Sequence, residues 1–278
     1  MTQPTGTLRH LVGVCLVCLV LAVPCLASAQ VLGGPRPRTT APRAYGFLTA
    51  FQTTIDVKYL NGVDADQLFN WDADVSFDMD VVDAGPFRGN LFISIETIVG
   101  SEIRGVDPNQ NNYTADVSVF ARLPRGELST TFHHVSRHLA DRATRDSVAW
   151  NSVGVGYGGQ FALGRFEFDT GVRALWTVKR ASVDYEAEYV GYARVVRPLD
   201  ERFALFGSAD GVTVDVAPLR PSHSDPQGGL VEGGLRISTG VTMVDLFAAW
   251  EQRIDLTSDR RERTRWTQFG IRLTAPIP

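Results

Sequence analysis

Trp71-Asp72-Ala73-Asp74-Val75-Ser76-Phe77-Asp78-Met79-Asp80-Val81 has an apolar residue at every odd position and Asp or Ser at every even one. A helix would scatter these two sets around its circumference, whereas a strand places them on opposite faces. The run is longer than the roughly 5–6 residues usual for a soluble strand. It matches the roughly 9–11 residues a tilted strand needs to cross a bilayer.

The same alternation recurs on both sides of this segment. In residues 165–179, Phe166, Phe168, Thr170, Val172, Ala174, Trp176 and Val178 share one face, while Arg165, Glu167, Asp169, Arg173 and Lys179 share the other. In residues 184–195, Tyr185, Ala187, Tyr189, Ala193 and Val195 oppose Asp184, Glu186, Glu188 and Arg194. Val244, Leu246, Ala248 and Trp250 oppose Asp245, Glu251 and Arg253. Weaker versions lie near residues 44–59, 90–99, 113–122, 127–138, 148–157, 203–215, 230–239 and 266–274, which makes twelve strands with no convincing helix between them.

A soluble periplasmic sandwich also alternates, so the connections and the polar face must separate the two architectures. Links after even strands are tight, as at Leu123-Pro124-Arg125-Gly126, Ala162-Leu163-Gly164 and Thr239-Gly240-Val241-Thr242. Links after odd strands are mostly longer and more polar, as at residues 100–112, 217–229 and 255–264. The polar face carries both signs of charge, as a wet barrel interior does. An even strand number with short turns at one end and long loops at the other is the pattern of an antiparallel transmembrane β-barrel of the outer membrane. The chain ends Pro276-Ile277-Pro278, without the terminal aromatic residue common in such barrels.

The N-terminus supports export. Arg9 precedes an apolar run from Leu11 to Leu26, and Ala27-Ser28-Ala29 supplies small residues for cleavage. Residues 1–29 therefore read as a secretory signal peptide, residues 30–43 as a Gly/Pro/Arg-rich leader, and residues 44–278 as the barrel. The expected location is the outer membrane of a Gram-negative-type cell, reached through the barrel-assembly machinery. All three cysteines lie in the signal, so the mature chain has none. The net charge of -4 becomes about -5 once Arg9 is removed, which argues against a nucleic-acid partner.

Chemistry concentrates in Phe132-His133-His134-Val135-Ser136-Arg137-His138-Leu139-Ala140-Asp141. Strand parity puts His134, Ser136 and His138 on the face of Leu128, Thr130 and Phe132, nominally the lipid face. A His beside a Ser on one face can draw the hydroxyl proton if a third group orients the imidazole. His138, Asp141 and Asp146 are near enough in sequence for that third role. Residues 147–157 of the following strand contain no acid. The alternative is a set of interfacial polar residues that bind water or lipid head groups.

The His-x-Ser pair near the outer-leaflet end of a strand is similar to that of the outer-membrane lipid A deacylases. The longer string His134-x-Ser136-x-His138-Leu139-x-Asp141 resembles an uncharacterised family of outer-membrane barrels with a His-Gln-Ser-Ser-His-Leu-Gly-Asp-type motif, agreeing at five positions. The resemblance implies ester hydrolysis on a membrane lipid, with lipopolysaccharide as a possible substrate. Ser136 would be the nucleophile, His134 the general base, and His138 or Asp141 the orienting group. The competing expectation is a structural barrel or small-solute channel without catalysis.

Other constellations read as architecture. The row Asp72, Asp74, Asp78 and Asp80 lacks the glycine of a calcium loop and presents its acids in a line. Lumen arginines such as Arg165, Arg173, Arg194, Arg236, Arg253 and Arg272 are the expected partners, so no metal is expected there. His134 and His138 lie about 13 Å apart on a strand, too far for a shared zinc ion. The glycines of residues 154–159 open no helix and form no phosphate loop, so no cofactor is expected. Tyr45, Tyr59, Trp71, Tyr113, Trp150, Tyr185 and Trp266 fall near strand ends, as an interfacial girdle would.

Overall fold

A computed structural model describes residues 34–35, 45–62, 69–100, 107–139, 148–217, 227–254 and 264–277. The expected signal peptide, most of the leader, Asp141 and Asp146 lie outside the described residues. Twelve strands occur among the described residues: β1 (Gly46–Asn61), β2 (Phe69–Asp83), β3 (Phe87–Gly100), β4 (Asp107–Leu123), β5 (Gly126–Leu139), β6 (Val148–Leu163), β7 (Phe166–Ala181), β8 (Tyr185–Pro198), β9 (Phe203–Val216), β10 (Gln227–Ser238), β11 (Met243–Arg253) and β12 (Thr264–Ile277). Each pairs antiparallel with its sequence neighbour, and β12 closes on β1 with Asp56 opposite Arg272. Closure leaves no unpaired strand edge, which a bilayer interior requires.

The twelve-strand expectation is correct, and the link lengths alternate as the sequence indicates. Residues 84–86, 124–125, 164–165, 199–202 and 239–242 form the tight end. At the other end the β7–β8 link, residues 182–184, is short, and β4 begins at Asp107 rather than at residue 113.

The β2 row faces the lumen and meets cations there. Lys58 Nζ is 2.6 Å from Asp74 and 3.2 Å from Asp72, while Arg88 is 2.7 Å from both Asp80 and Glu127. Arg253 reaches Asp72 at 3.3 Å and Glu96 at 2.8 Å. The carboxylates of Asp72, Asp74 and Glu96 lie within 4.8 Å of one another, a spacing a metal ion would accept. Lys58 and Arg253 already supply the counter-charge at that place. Of the expected lumen arginines, Arg165 instead sits exposed in the tight turn after β6.

The aromatic girdle holds in part. Tyr59, Trp71 and Tyr113 face outward, 38–46% exposed. Trp150, Tyr185 and Trp266 instead point inward and are buried. Trp150 and Trp266 occupy inward positions of their strands, and each indole N–H finds a carboxylate, Glu188 at 2.7 Å and Glu251 at 3.0 Å. At the start of β8 a register shift between Tyr185 and Ala187 breaks the alternation. Tyr185 therefore joins the lumen side, although Tyr189, four residues on, faces outward. The result is an apolar cluster of Val135, Val148, Trp150, Tyr185, Val212, Val214 and Ile254 inside the loop end of the barrel.

Candidate functional site

Residues directly opposite in an antiparallel pair point to the same side of the sheet. The registers therefore map the outer surface in lateral rows. Thr97, Asn111 and His138 form one row. The next holds Ile95, Tyr113, Ser136 and Ala149, and the next Ile93, Ala115, His134, Asn151 and Lys179. Below these come Val117, Phe132, Val153 and Trp176, each 44–55% exposed. A polar patch thus sits above an apolar band, toward the loop end.

His134, Ser136 and His138 share the outward face of β5, as the parity predicts. His133 and Arg137 point inward and are buried. His133 bonds Asp116, which also accepts from Arg173 at 2.7 Å. Ser129 and Thr131 continue the lumen face below. The two adjacent histidines therefore serve different environments.

The orienting partner of His134 is Asn151. His134 Nδ1 and Asn151 Oδ1 are 2.8 Å apart. The amide oxygen only accepts, so the proton belongs on Nδ1 and the Nε2 lone pair is left free. His138 lies on the far side of Ser136 and packs edge-on against Tyr113, with centroids 5.4 Å apart and planes at 74°. No hydrogen bond joins Ser136 to His134 among the described residues. Catalytic hydrogen bonds commonly shorten only when substrate is bound.

The strand behind this patch is firmly held. Val135, between His134 and Ser136, and Trp150, beside Asn151, are fully buried in the inner apolar cluster. Arg137 stacks over Trp150 at 5.4 Å from the lumen side. The β6–β7 register shifts between Asn151 and Ser152. Such a bulge re-aims side chains and is over-represented next to active sites. Small residues, Ala115 and Ala149, flank the histidine and serine and leave room above them.

Sequence reasoning missed Asn151 because it sought an acid on the following strand. A search for any acceptor at the register position of His134 would have found it. A neutral amide also suits this surface, because an ionised carboxylate costs far more to desolvate beside lipid.

The fold and the placement of its polar and apolar faces define an outer-membrane β-barrel protein. No family model matches the chain, and no curated protein matches it. Solved structures do. The chain is similar to outer membrane phospholipase A from Escherichia coli, at 10% identity and a TM-score of 0.52, covering 81% of this chain and 92% of that one. The calcium-bound dimer of the Salmonella typhi outer membrane phospholipase gives 9% identity and a TM-score of 0.53, covering 86% and 94%. An active-site mutant of the Escherichia coli phospholipase, with an asparagine replaced by alanine, gives 11% identity and a TM-score of 0.50, covering 88% and 94%. At these identities the likeness concerns the fold.

Proposed function

We propose that this barrel hydrolyses acyl esters of membrane lipids, with Ser136 as nucleophile, His134 as general base and Asn151 as the residue that orients the base. The observation that carries this reading is the 2.8 Å His134–Asn151 hydrogen bond on the lipid face, one outward position from Ser136. It is the arrangement by which a triad holds its imidazole, here with an amide as third member. The phospholipase whose active-site mutant lacks an asparagine supports it by analogy of fold alone.

Ser136 Oγ attacks the ester carbonyl while His134 Nε2 takes its proton. The tetrahedral intermediate collapses, the ester C–O bond breaks, and the imidazolium returns the proton to the departing alcohol. Water, deprotonated by the same nitrogen, then attacks the acyl-serine; the acyl–Oγ bond breaks, the imidazolium returns the proton to Ser136 Oγ, and the fatty acid leaves. The apolar band of Val117, Phe132 and Val153 below the pair would hold the acyl chain.

The test compares lipids of cells expressing wild type or Ser136→Ala by mass spectrometry. Free fatty acid and de-acylated lipid should accumulate only with the wild type. Identical spectra from two correctly inserted proteins would remove the enzymatic reading. Assaying glycerophospholipid and lipopolysaccharide side by side identifies the acyl donor.

A further inference from the structure

Lys179 stands directly opposite Asn151 in the β6–β7 pair, in the same outward row as His134. Its neighbours on β7 explain how it comes to be there. Thr177 pairs with Ser152 and Lys179 with Asn151, so Val178 is the extra residue of the bulge. Without the bulge, regular alternation from Thr177 through Val178 would place Lys179 on the lumen face. The bulge converts a lumen lysine into an exposed, outward-facing one.

An ammonium on this surface asks for an anion. Arg180, the next residue, is engaged with Glu186 at 3.6 Å and with the Tyr185 carbonyl. Lys179 has no such partner among the described residues. The apolar Trp176 and Val178 beside it are 47% and 60% exposed, an outer surface on which a lysine can lay its stem and extend its head toward the interface. Adjacent strands are about 4.8 Å apart, so the row spans roughly 10 Å from the Lys179 backbone to that of His134. A lysine stem can bridge part of that distance, so the ammonium has reach toward a lipid bound over Asn151 and Ser136.

We infer that Lys179 is a specificity residue that binds the phosphate of a membrane lipid whose acyl ester lies over Ser136. This rests on the hydrolase reading for its meaning, but the binding itself does not need catalysis. Lipids that carry a phosphate near the ester are held in register; diacylglycerols, which lack it, are not. Lysine recognises phosphate as a point charge, so arginine at this position should substitute for it.

The test uses the full barrel in an uncharged detergent, with two readouts. The first is binding of a non-hydrolysable ether-linked dialkyl phosphatidylglycerol against dialkylglycerol, followed by native mass spectrometry. Wild type and Lys179→Arg should prefer the phosphate lipid about tenfold, and Lys179→Met should lose that preference. The second is hydrolysis of the matching diacyl lipids. Lys179→Met should raise KM for the phosphate lipid about tenfold and leave kcat and diacylglycerol turnover unchanged. Loss of preference in a barrel that shows no Ser136-dependent hydrolysis would keep the phosphate site and remove the hydrolase. Ser136-dependent hydrolysis with preference and KM unmoved by Lys179→Met would do the reverse. Equal binding of both lipids by the wild type would also overturn the site.

Discussion

His133 and His134 are adjacent in the chain, yet one belongs to the lumen and the other to the membrane face. His133 is tied to Asp116, itself held by Arg173 from β7, in a buried chain that crosses part of the lumen. Among the described residues, His134 is tied only to Asn151, on the outside. In the proposed hydrolase the orientation of the outward histidine therefore depends on that hydrogen bond. Removing it with Asn151→Ala frees the imidazole to rotate and to hold its proton on either nitrogen. General base catalysis contributes about 10²–10⁴-fold, and losing its orientation should cost about 10–100-fold of that in kcat. KM should be nearly unchanged, because Asn151 does not bind the acyl chain. Steady-state kinetics on Asn151→Ala, with heat-dependent gel mobility to verify insertion, checks this; an unchanged kcat would deny Asn151 its role.

At the scale of strands, the outer face is graded from polar near the loop end to apolar at mid-strand, and the cost of a charge should follow that grade. Val155 lies at the middle of β6 and is 48% exposed. Thr97 lies near the loop end of β3, where it donates to Asn111 at 2.9 Å. Arginine at the bilayer midplane costs about 2–4 kcal/mol and near the interface about 0–1 kcal/mol. Val155→Arg should therefore lower stability in lipid vesicles by the larger amount and Thr97→Arg by the smaller, as read from urea unfolding. Equal losses would mean that the outer face is not graded with bilayer depth. The same period-two logic explains what was legible in advance. Asp72 through Asp80 announce their face because charge and apolarity alternate without interruption, and twelve such segments follow from the same reading. A bulge, in contrast, adds one residue and leaves no mark in composition. That is why period two places Tyr185 and Lys179 on the wrong faces, and why Asn151, visible only through register, does not stand out beside His134.

Across the whole molecule, two kinds of contact fill the lumen among the described residues. The loop end is filled by the cluster around Trp150 and by a second one of Leu60, Phe69, Ile98 and Trp266. Beneath them, charged side chains form chords between strands that are not neighbours. Arg253 on β11 is the longest of these, reaching Asp72 on β2 and Glu96 on β3 while its guanidinium sits 5.3 Å from the Trp266 ring. From that level a cavity of about 720 Å³ extends toward the tight turns, lined by Asp78, Gln160, Asp169 and Arg194 among others. A chamber capped in this way should carry no steady ionic current. Arg253 is the place to test the cap, because it packs against Trp266 of the apolar cluster and pairs with three carboxylates at once: Asp72, Glu96 and Glu251. Arg253→Ala leaves Asp72 paired with Lys58, takes the arginine partner from Glu96 and Glu251, and removes the support under Trp266. In planar bilayers the wild type should be silent, and Arg253→Ala should show intermittent conductance that favours cations over anions, since the uncompensated charge is negative. Steady conductance in the wild type would instead mean that the ionic chords leave a continuous water path, and the chamber would then be part of a pore.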